Sequence, residues 1–172
     1  MRKIKNTLYK RYELYWSNEL SRPGSILQRN QTELNKLRTY ITFKNTLKFE
    51  PYLQHIKRVE ARKAVSQLRM SSHSLNIESL RGKVKDPTER ICIMCDTNRT
   101  EDEVHFLMDC PKYDHLRDEL INKVTGKFGN ILLLNKEQKF EWLMTNEDEI
   151  VCKILGEYIL QIFKCRKEAI SR

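Results

Sequence analysis

Glycine, proline and long apolar runs are scarce in this chain of 172 residues. It has 5 glycines and 4 prolines, so helix-breaking residues are few, and apolar residues recur mostly three and four positions apart. This spacing predicts a mainly α protein. No run reaches the roughly 18 apolar residues of a transmembrane helix, and Met1–Asn6 lacks the apolar stretch of a signal peptide. We therefore expect no membrane contact.

The 5 cysteines are odd in number, and three of them belong to a pattern typical of metal sites. Both facts favour a reducing intracellular compartment, nucleus or cytoplasm, over the oxidising environments in which disulfides persist. The other two, Cys152 and Cys165, lie on a predicted C-terminal helix and are interpreted as structural thiols.

The pattern Cys-x2-Cys-x9-His-x4-Cys is the strongest chemical signal in the sequence. A two-residue gap lets both thiolates of the first pair bind one ion from a tight turn, and the His-x4-Cys half adds two ligands from the end of a short helix. Three thiolates and one imidazole favour zinc. The predicted ligands of a structural Zn²⁺ ion are Cys92, Cys95, His105 and Cys110. Two alternatives stay open: the cysteines are simply small buried side chains, or His115 replaces Cys110 as the fourth ligand.

The residues around His105 predict how this side chain is presented. Thr100 and Glu103 fit a capping box, with Thr100 as the N-cap of a short helix. Pro111 directly follows Cys110 and predicts that the helix ends near the last ligand.

Charge is distributed unevenly along the chain. The formal net charge is +9, but residues 1–90 hold 20 Lys or Arg against 8 Asp or Glu, a net +12, whereas residues 91–172 hold 12 against 15, a net −3. A basic half of this kind indicates a polyanionic partner, usually nucleic acid, RNA or DNA. The alternative is that the lysines serve only solubility.

A basic amphipathic helix is predicted over residues 51–70. Its apolar residues share one face, and Arg58, Arg62 and Arg69 lie within about 40° of one another on the opposite side. A row of guanidinium groups suits phosphate contacts, although the solvated face of a core helix gives the same pattern. Together with the loop 81–90, the predicted nucleic-acid contacts are Arg58, Arg62, Lys63, Arg69, Lys83, Lys85 and Arg90.

Three regions are expected along the chain. Residues 1–80 are predicted to form a basic helical region, residues 81–125 the zinc-binding module, and residues 126–172 a C-terminal helical region that packs back on the rest. The fold class is therefore mainly α, a helical domain with a small inserted Cys-Cys-His-Cys zinc knuckle-helix element.

Two apolar stripes require burial. The first belongs to a predicted N-terminal helix and contains Tyr12 and Tyr15, which we interpret as core residues. The second belongs to a long final helix over residues 147–168, with Asn146 as its N-cap. The apolar side chains of that stripe are numerous enough that they must be buried, either against the rest of this chain or against a partner. A second copy of the chain in a homodimer is one such partner.

Several segments together resemble a known family. They are Glu50–Leu53, Arg69–Glu78, Glu89–Cys95 and Glu101–Tyr113, followed by Leu116 and Arg117. In this order they are similar to the C-terminal, post-polymerase region of animal non-LTR retrotransposon reverse transcriptases and of related stand-alone proteins. The resemblance spans roughly residues 34–165 and is most specific in the string Glu-Asp-Glu-x-His-Phe-Leu-x-x-Cys-Pro. The chain departs from the family pattern after Glu78. The family usually has a Gly-Arg-aromatic or Gly-Arg-His step there, whereas this chain has Ser79–Lys83.

The resemblance implies a module that helps to hold template RNA or target DNA, with the same four residues as zinc ligands. The chain contains neither the paired-aspartate motif of a polymerase nor the acidic–histidine set of the associated endonuclease. We therefore expect a nucleic-acid-binding module without enzymatic activity, because the only Cys/His group is committed to the metal. The alternative is a zinc-stabilised protein–protein interaction module that self-associates through its final helix.

Overall fold

A computed structural model of the chain describes residues 7, 10–15, 17–18, 38–44 and 48–171. In chain order its α-helices with defined ends are α1 (Arg38–Phe43), α2 (Pro51–His55), α3 (Val59–Arg69), α4 (Asn76–Ser79), α5 (Asp114–Thr125), α6 (Lys136–Thr145) and α7 (Glu149–Ile170). Short 3₁₀ turns lie at Pro87–Glu89, Pro111–Tyr113 and Gly129–Leu133, and a π-helical turn lies at His105–Asp109.

The prediction of a mainly α protein with a small inserted knuckle is confirmed. Within the described ranges the only β pairing is an isolated antiparallel bridge between Ile91 and Thr100. This bridge closes a hairpin of eight residues that carries Cys92 and Cys95. The metal-binding pattern is thus an irregular insertion between helices.

Helix α7 is the central element of the fold. Its buried residues recur with helical spacing, as at Val151, Leu155, Ile159 and Ile162, and α2, α3 and α5 pack against it. Most of the apolar stripe is therefore covered by this chain, whereas Ile150 at its start is 51% exposed. No helix among the described residues combines the length and apolarity needed to cross a membrane.

The N-cap of α7 differs from the prediction. Asp148, not Asn146, caps the helix, since its carboxylate accepts hydrogen bonds from the backbone N–H groups of Ile150 at 2.9 Å and Val151 at 3.3 Å. Asn146 lies two residues earlier, and its side-chain oxygen accepts a hydrogen bond from the N–H of Asp148 at 2.9 Å. Both side chains suit a cap, and the one nearer the helix takes this role.

The single helix predicted over residues 51–70 is interrupted. Helix α2 ends at His55 and α3 begins at Val59, with Ile56 and Arg58 in extended conformation. Ile56 is buried against Gly156 of α7, whose missing side chain leaves room for it. The guanidinium of Arg62 donates to the carbonyl oxygen of Ile56 at 3.1 Å, which satisfies an acceptor that the break exposes.

The buried apolar residues form one cluster that draws on all three predicted regions, from Ile56 to Ile162, with partly buried residues such as Tyr52 and Cys165 packed against it. The predicted core placement of Tyr12 and Tyr15 is wrong. Their side chains are 64% and 62% exposed, and neither belongs to this cluster. The remaining apolar residues of the predicted stripe, Leu8, Trp16 and Leu20, lie outside the described residues.

Candidate metal centre

The four predicted ligands converge on one point. One ligand atom from each of Cys92, Cys95, His105 and Cys110 lies within 4.8 Å of every other. The first two come from the hairpin, His105 from the π-helical turn, and Cys110 from the extended residue that ends this turn. His115 is exposed on α5 and lies outside the set, so Cys110 fills the fourth position.

The distances within the set fit a single ion. Sγ of Cys92 is 4.0 Å from Sγ of Cys110, and Sγ of Cys95 is 3.4 Å from Nε2 of His105. Bond lengths of about 2.3 Å to sulfur and 2.0–2.1 Å to nitrogen place tetrahedral ligand atoms roughly 3.5–3.8 Å apart. Only small side-chain adjustments therefore separate this arrangement from a four-coordinate site.

Backbone hydrogen bonds of the hairpin hold the first pair of thiols. The N–H of Cys92 donates to the carbonyl of Arg99 at 2.8 Å, and the N–H of Glu101 donates to the carbonyl of Arg90 at 2.9 Å. Within the turn the N–H of Met94 donates to Sγ of Cys92 at 3.4 Å. An amide aimed at sulfur favours the thiolate, which is the metal-binding form.

The capping box predicted for Thr100 and Glu103 does not form, and Asp102 instead caps the turn that carries His105. Its carboxylate accepts from the backbone N–H of His105 at 2.7 Å. Thr100 lies in the β bridge, and its hydroxyl donates to the carbonyl of Thr88 at 3.2 Å. Glu103 is buried, and its carboxylate pairs with the imidazole of His73 at 2.8 Å. The tertiary partners of Glu103 thus outcompete the local cap.

The turn between His105 and Cys110 is widened and then terminated. The N–H of Cys110 donates to the carbonyl of His105 at 2.7 Å, a π-helical bond. Pro111 has no N–H to continue the ladder, so side chains satisfy the free carbonyls. Arg117 donates to the carbonyl oxygens of Leu107 and Cys110 at 2.9 and 2.7 Å. The prediction that the helix ends at the last ligand is confirmed.

A buried ion pair connects the hairpin to α7. Glu101 is fully buried, and its carboxylate accepts two hydrogen bonds from the guanidinium of Arg166, at 2.7 and 2.8 Å. The backbone N–H of Asn76 donates to the same carboxylate at 2.7 Å. Oε1 of Glu101 lies 3.9 Å from Sγ of Cys92, so the ligand set and the C-terminal half of α7 share this contact.

The protons of the thiol groups are held unequally. A hydrogen bond with Cys110, together with burial, raises the pKa of Cys92 to about 12. The same hydrogen bond lowers the pKa of Cys110. One thiol of the pair thus keeps its proton while the other favours the thiolate. An ion bound by both sulfurs must displace that proton, which makes metal affinity rise with pH.

Two of the predicted nucleic-acid contacts are not available. Arg69 is buried, and its guanidinium bonds to the carbonyl of Met144 and to the carboxylate of Glu50. Arg90 is also buried, and its guanidinium donates to the carbonyl oxygens of Ile77 at 2.7 Å and Val84 at 2.9 Å. Both arginines stabilise loops, because a guanidinium group can satisfy several carbonyl oxygens at once.

The other predicted contacts remain at the surface to different degrees. Arg58 pairs with Glu157 of α7 at 2.8 Å and is half exposed. Arg62 is half-buried, with its guanidinium on the backbone before α3. Lys63, Lys83 and Lys85 are exposed. The structure therefore brings the metal ligands together but leaves the predicted cations distributed over α3 and the loop before the hairpin.

The fold and the site together define a mainly helical protein with a Cys₃His cluster in an inserted hairpin and turn. Comparison with protein-family models, with curated proteins and with solved structures finds no match.

Proposed function

We propose that the chain is a zinc-stabilised nucleic-acid-binding module. The observation that carries the metal assignment is the convergence of three thiols and one imidazole on a single point. Such a donor set favours zinc over harder cations. A set of four protein ligands is closed and leaves no position for a catalytic water, so the ion has a structural role. A catalytic activity is no part of this proposal.

Nucleic acid is proposed as the partner because of the charge. The chain carries a net +9, and Lys63, Lys83 and Lys85 expose ammonium groups on α3 and on the loop that leads into the hairpin. These groups suit phosphate contacts, which give affinity with little sequence preference. The resemblance to the post-polymerase region of non-LTR retrotransposon reverse transcriptases supports the same partner and belongs to the proposal.

Binding to labelled structured RNA and to duplex DNA, measured across a salt series with the zinc-loaded chain, tests this function. We expect affinity to fall steeply with salt, because each phosphate contact adds about 0.9 to the slope of log K against log salt on duplex DNA. The triple variant Lys63→Gln, Lys83→Gln, Lys85→Gln should reduce the slope by about 2–3.

The matched control removes charges of the same sign from the acidic half. Lys123 and Lys153 pair with Glu119 and Glu149 on α5 and α7. Their replacement by glutamine should leave the salt slope nearly unchanged. If the salt slope falls equally in both sets of variants, binding depends on overall charge and not on Lys63, Lys83 and Lys85 in particular. No binding at low salt would contradict it.

A protein-interaction module is the second candidate, favoured by one observation. The 3₁₀ turn Gly129–Leu133 exposes two neighbouring apolar side chains, Leu132 at 57% and Leu133 at 87%. Salt-insensitive association without nucleic-acid binding, abolished by Leu133→Ser, would favour this candidate. Self-association through the stripe of α7 is less favoured, because most of that stripe is covered by α2, α3 and α5.

A further inference from the structure

Asp109 closes the short turn that carries His105 and lies on the side of the imidazole away from the other ligands. Its Oδ2 is 3.6 Å from Nδ1 of His105, whereas Nε2 of the same ring is 3.4 Å from Sγ of Cys95. The ring therefore stands between the thiols and a carboxylate.

The Nδ1 atom of His105 is buried and makes no hydrogen bond to the described residues. When Nε2 binds a metal ion its lone pair is occupied, so the neutral ring carries its proton on Nδ1. A buried N–H group requires an acceptor. Oδ2 of Asp109 lies slightly beyond hydrogen-bond distance, and a small rotation of either side chain closes the gap.

Two cations hold the carboxylate of Asp109 in place. The guanidinium of Arg99, from the second arm of the hairpin, and the ammonium of Lys136, the first residue of α6, both form ion pairs with it. The Asp109 side chain is 14% exposed. Its conformations are therefore restricted, and its charge is compensated from two separate elements of the fold.

We infer that Asp109 is a positioning residue of the metal centre. Its carboxylate accepts a hydrogen bond from the Nδ1–H group of His105, selects that tautomer and directs Nε2 toward the ion. Carboxylates that bond to a metal-binding histidine act in this way in other metal sites. The role rests on the proposed function, since it requires that the four-residue set binds zinc. Through Lys136 it also connects the centre to α6.

Zinc affinity of the full chain is measured by competition with a chromophoric chelator for wild type, Asp109→Ala and Asp109→Asn. We expect Asp109→Ala to weaken binding about 10–100-fold. Asp109→Asn keeps a carbonyl acceptor and should lose less. Asp96→Asn is the control, because it removes an exposed carboxylate next to Cys95, and its affinity should be nearly that of wild type.

The imidazole resonances of His105 in the zinc-loaded protein supply a readout that a purely structural role would not move. We expect a slowly exchanging Nδ1 proton in wild type and in Asp109→Asn, and its loss in Asp109→Ala. If Asp109→Ala does not fold, Lys136→Gln replaces it. Lys136 is half exposed, and its replacement should loosen the carboxylate and weaken zinc binding by a smaller factor.

Each outcome decides the role of Asp109. Unchanged affinity and an unchanged Nδ1 proton in the Asp109 variants would overturn it while leaving the zinc site intact. Equal losses in Asp109→Ala and Asp96→Asn would overturn it as well, since the loss of one nearby negative charge would then be sufficient. Absence of stoichiometric zinc binding by the wild-type chain would overturn both the positioning role and the proposed function.

Discussion

The segment that carries the metal ligands and the helical core around α7 are stabilised by different interactions. The core is built from apolar side chains such as Leu68, Leu120 and Ile159, which are almost fully buried. The ligand segment, residues 90–110, also contributes Phe106, Leu107 and Met108 to that core, but it buries several polar side chains as well, among them Arg90 and Glu101. Its only regular pairing is one β bridge and one short turn.

This difference predicts which region would depend on a bound metal ion. Burial of apolar surface stabilises α3, α5 and α7 without any ligand. Of the apolar residues in the hairpin that precedes Glu101, only Cys92 is buried in the core. An ion that joins four side chains therefore contributes a large share of the stability of the ligand segment. The two regions should therefore respond differently to the same perturbation.

The largest difference is expected from loss of a metal ligand. Cys92→Ser should unfold the ligand segment locally, because structural zinc contributes apparent binding energies of about 10–16 kcal/mol in small zinc modules. Hydrogen exchange should show lost protection of the backbone N–H groups of Cys92 and Glu101, while those of α7 stay protected. Removal of zinc with a chelator should reproduce this pattern.

The matched control is Cys165→Ser, the same chemical change on α7 at a half-buried thiol outside the ligand set. It should leave protection of the ligand segment unchanged. If Cys92→Ser also leaves that segment protected, the metal is not what stabilises it, and the contrast between the two regions disappears.

The second largest effect is expected at the ion pair that joins the regions. Glu101→Gln leaves the guanidinium of Arg166 buried without its counter-charge, and removing one partner of a buried pair costs about 3–5 kcal/mol. Urea denaturation monitored by circular dichroism measures this loss. The variant should also weaken zinc binding, since Glu101 touches Cys92.

The control for this pair removes both charges. Glu101→Met combined with Arg166→Met replaces the pair by apolar side chains and should recover much of the lost free energy of unfolding. Recovery will be incomplete because the N–H of Asn76 loses its acceptor. A double variant no more stable than Glu101→Gln would show that the pair acts through packing rather than charge.

Local sequence patterns were sufficient to bring together the four predicted ligands and to locate the end of the turn at Cys110. The four predicted ligands lie within nineteen residues, so their spacing alone indicated that they could meet at one point, as they do. Asn135 and Gln138 form the reciprocal hydrogen bonds of a capping box at the start of α6. These features depend on neighbours a few positions away, which the sequence displays directly.

The partners of buried charges were not predictable in this way. Arg166 lies 65 positions from Glu101, and nothing near either residue indicates the other. Helical periodicity identified Arg69 as part of a basic face, and the composition of its loop did the same for Arg90. Neither pattern reveals the carbonyl oxygens that the two guanidinium groups contact in the fold. The sequence therefore overestimated the basic surface and missed Asp109, whose nearby His105 at i−4 was the one available signal.

The smallest expected effect lies in the core, far from the metal. A Cβ atom at Gly156 would lie 2.8 Å from Cδ1 of Ile56, so Gly156→Ala overpacks the contact between α7 and the break before α3. Overpacking costs about 1–3 kcal/mol, whereas alanine in a helix gains up to about 1 kcal/mol over glycine. We expect a net loss of about 1 kcal/mol in the free energy of unfolding.

Ile56→Val tests the cause of that loss, because it removes Cδ1, while the Cγ1 and Cγ2 atoms at 3.4 Å remain. In this background Gly156→Ala should change sign and stabilise the protein by up to about 1 kcal/mol, the helix propensity alone. The cycle of four variants is measured by urea denaturation, and zinc affinity should be the same in all four. A coupling energy near zero would mean that Ile56 yields freely, whereas a change in zinc affinity would show that core packing and the metal centre are not independent.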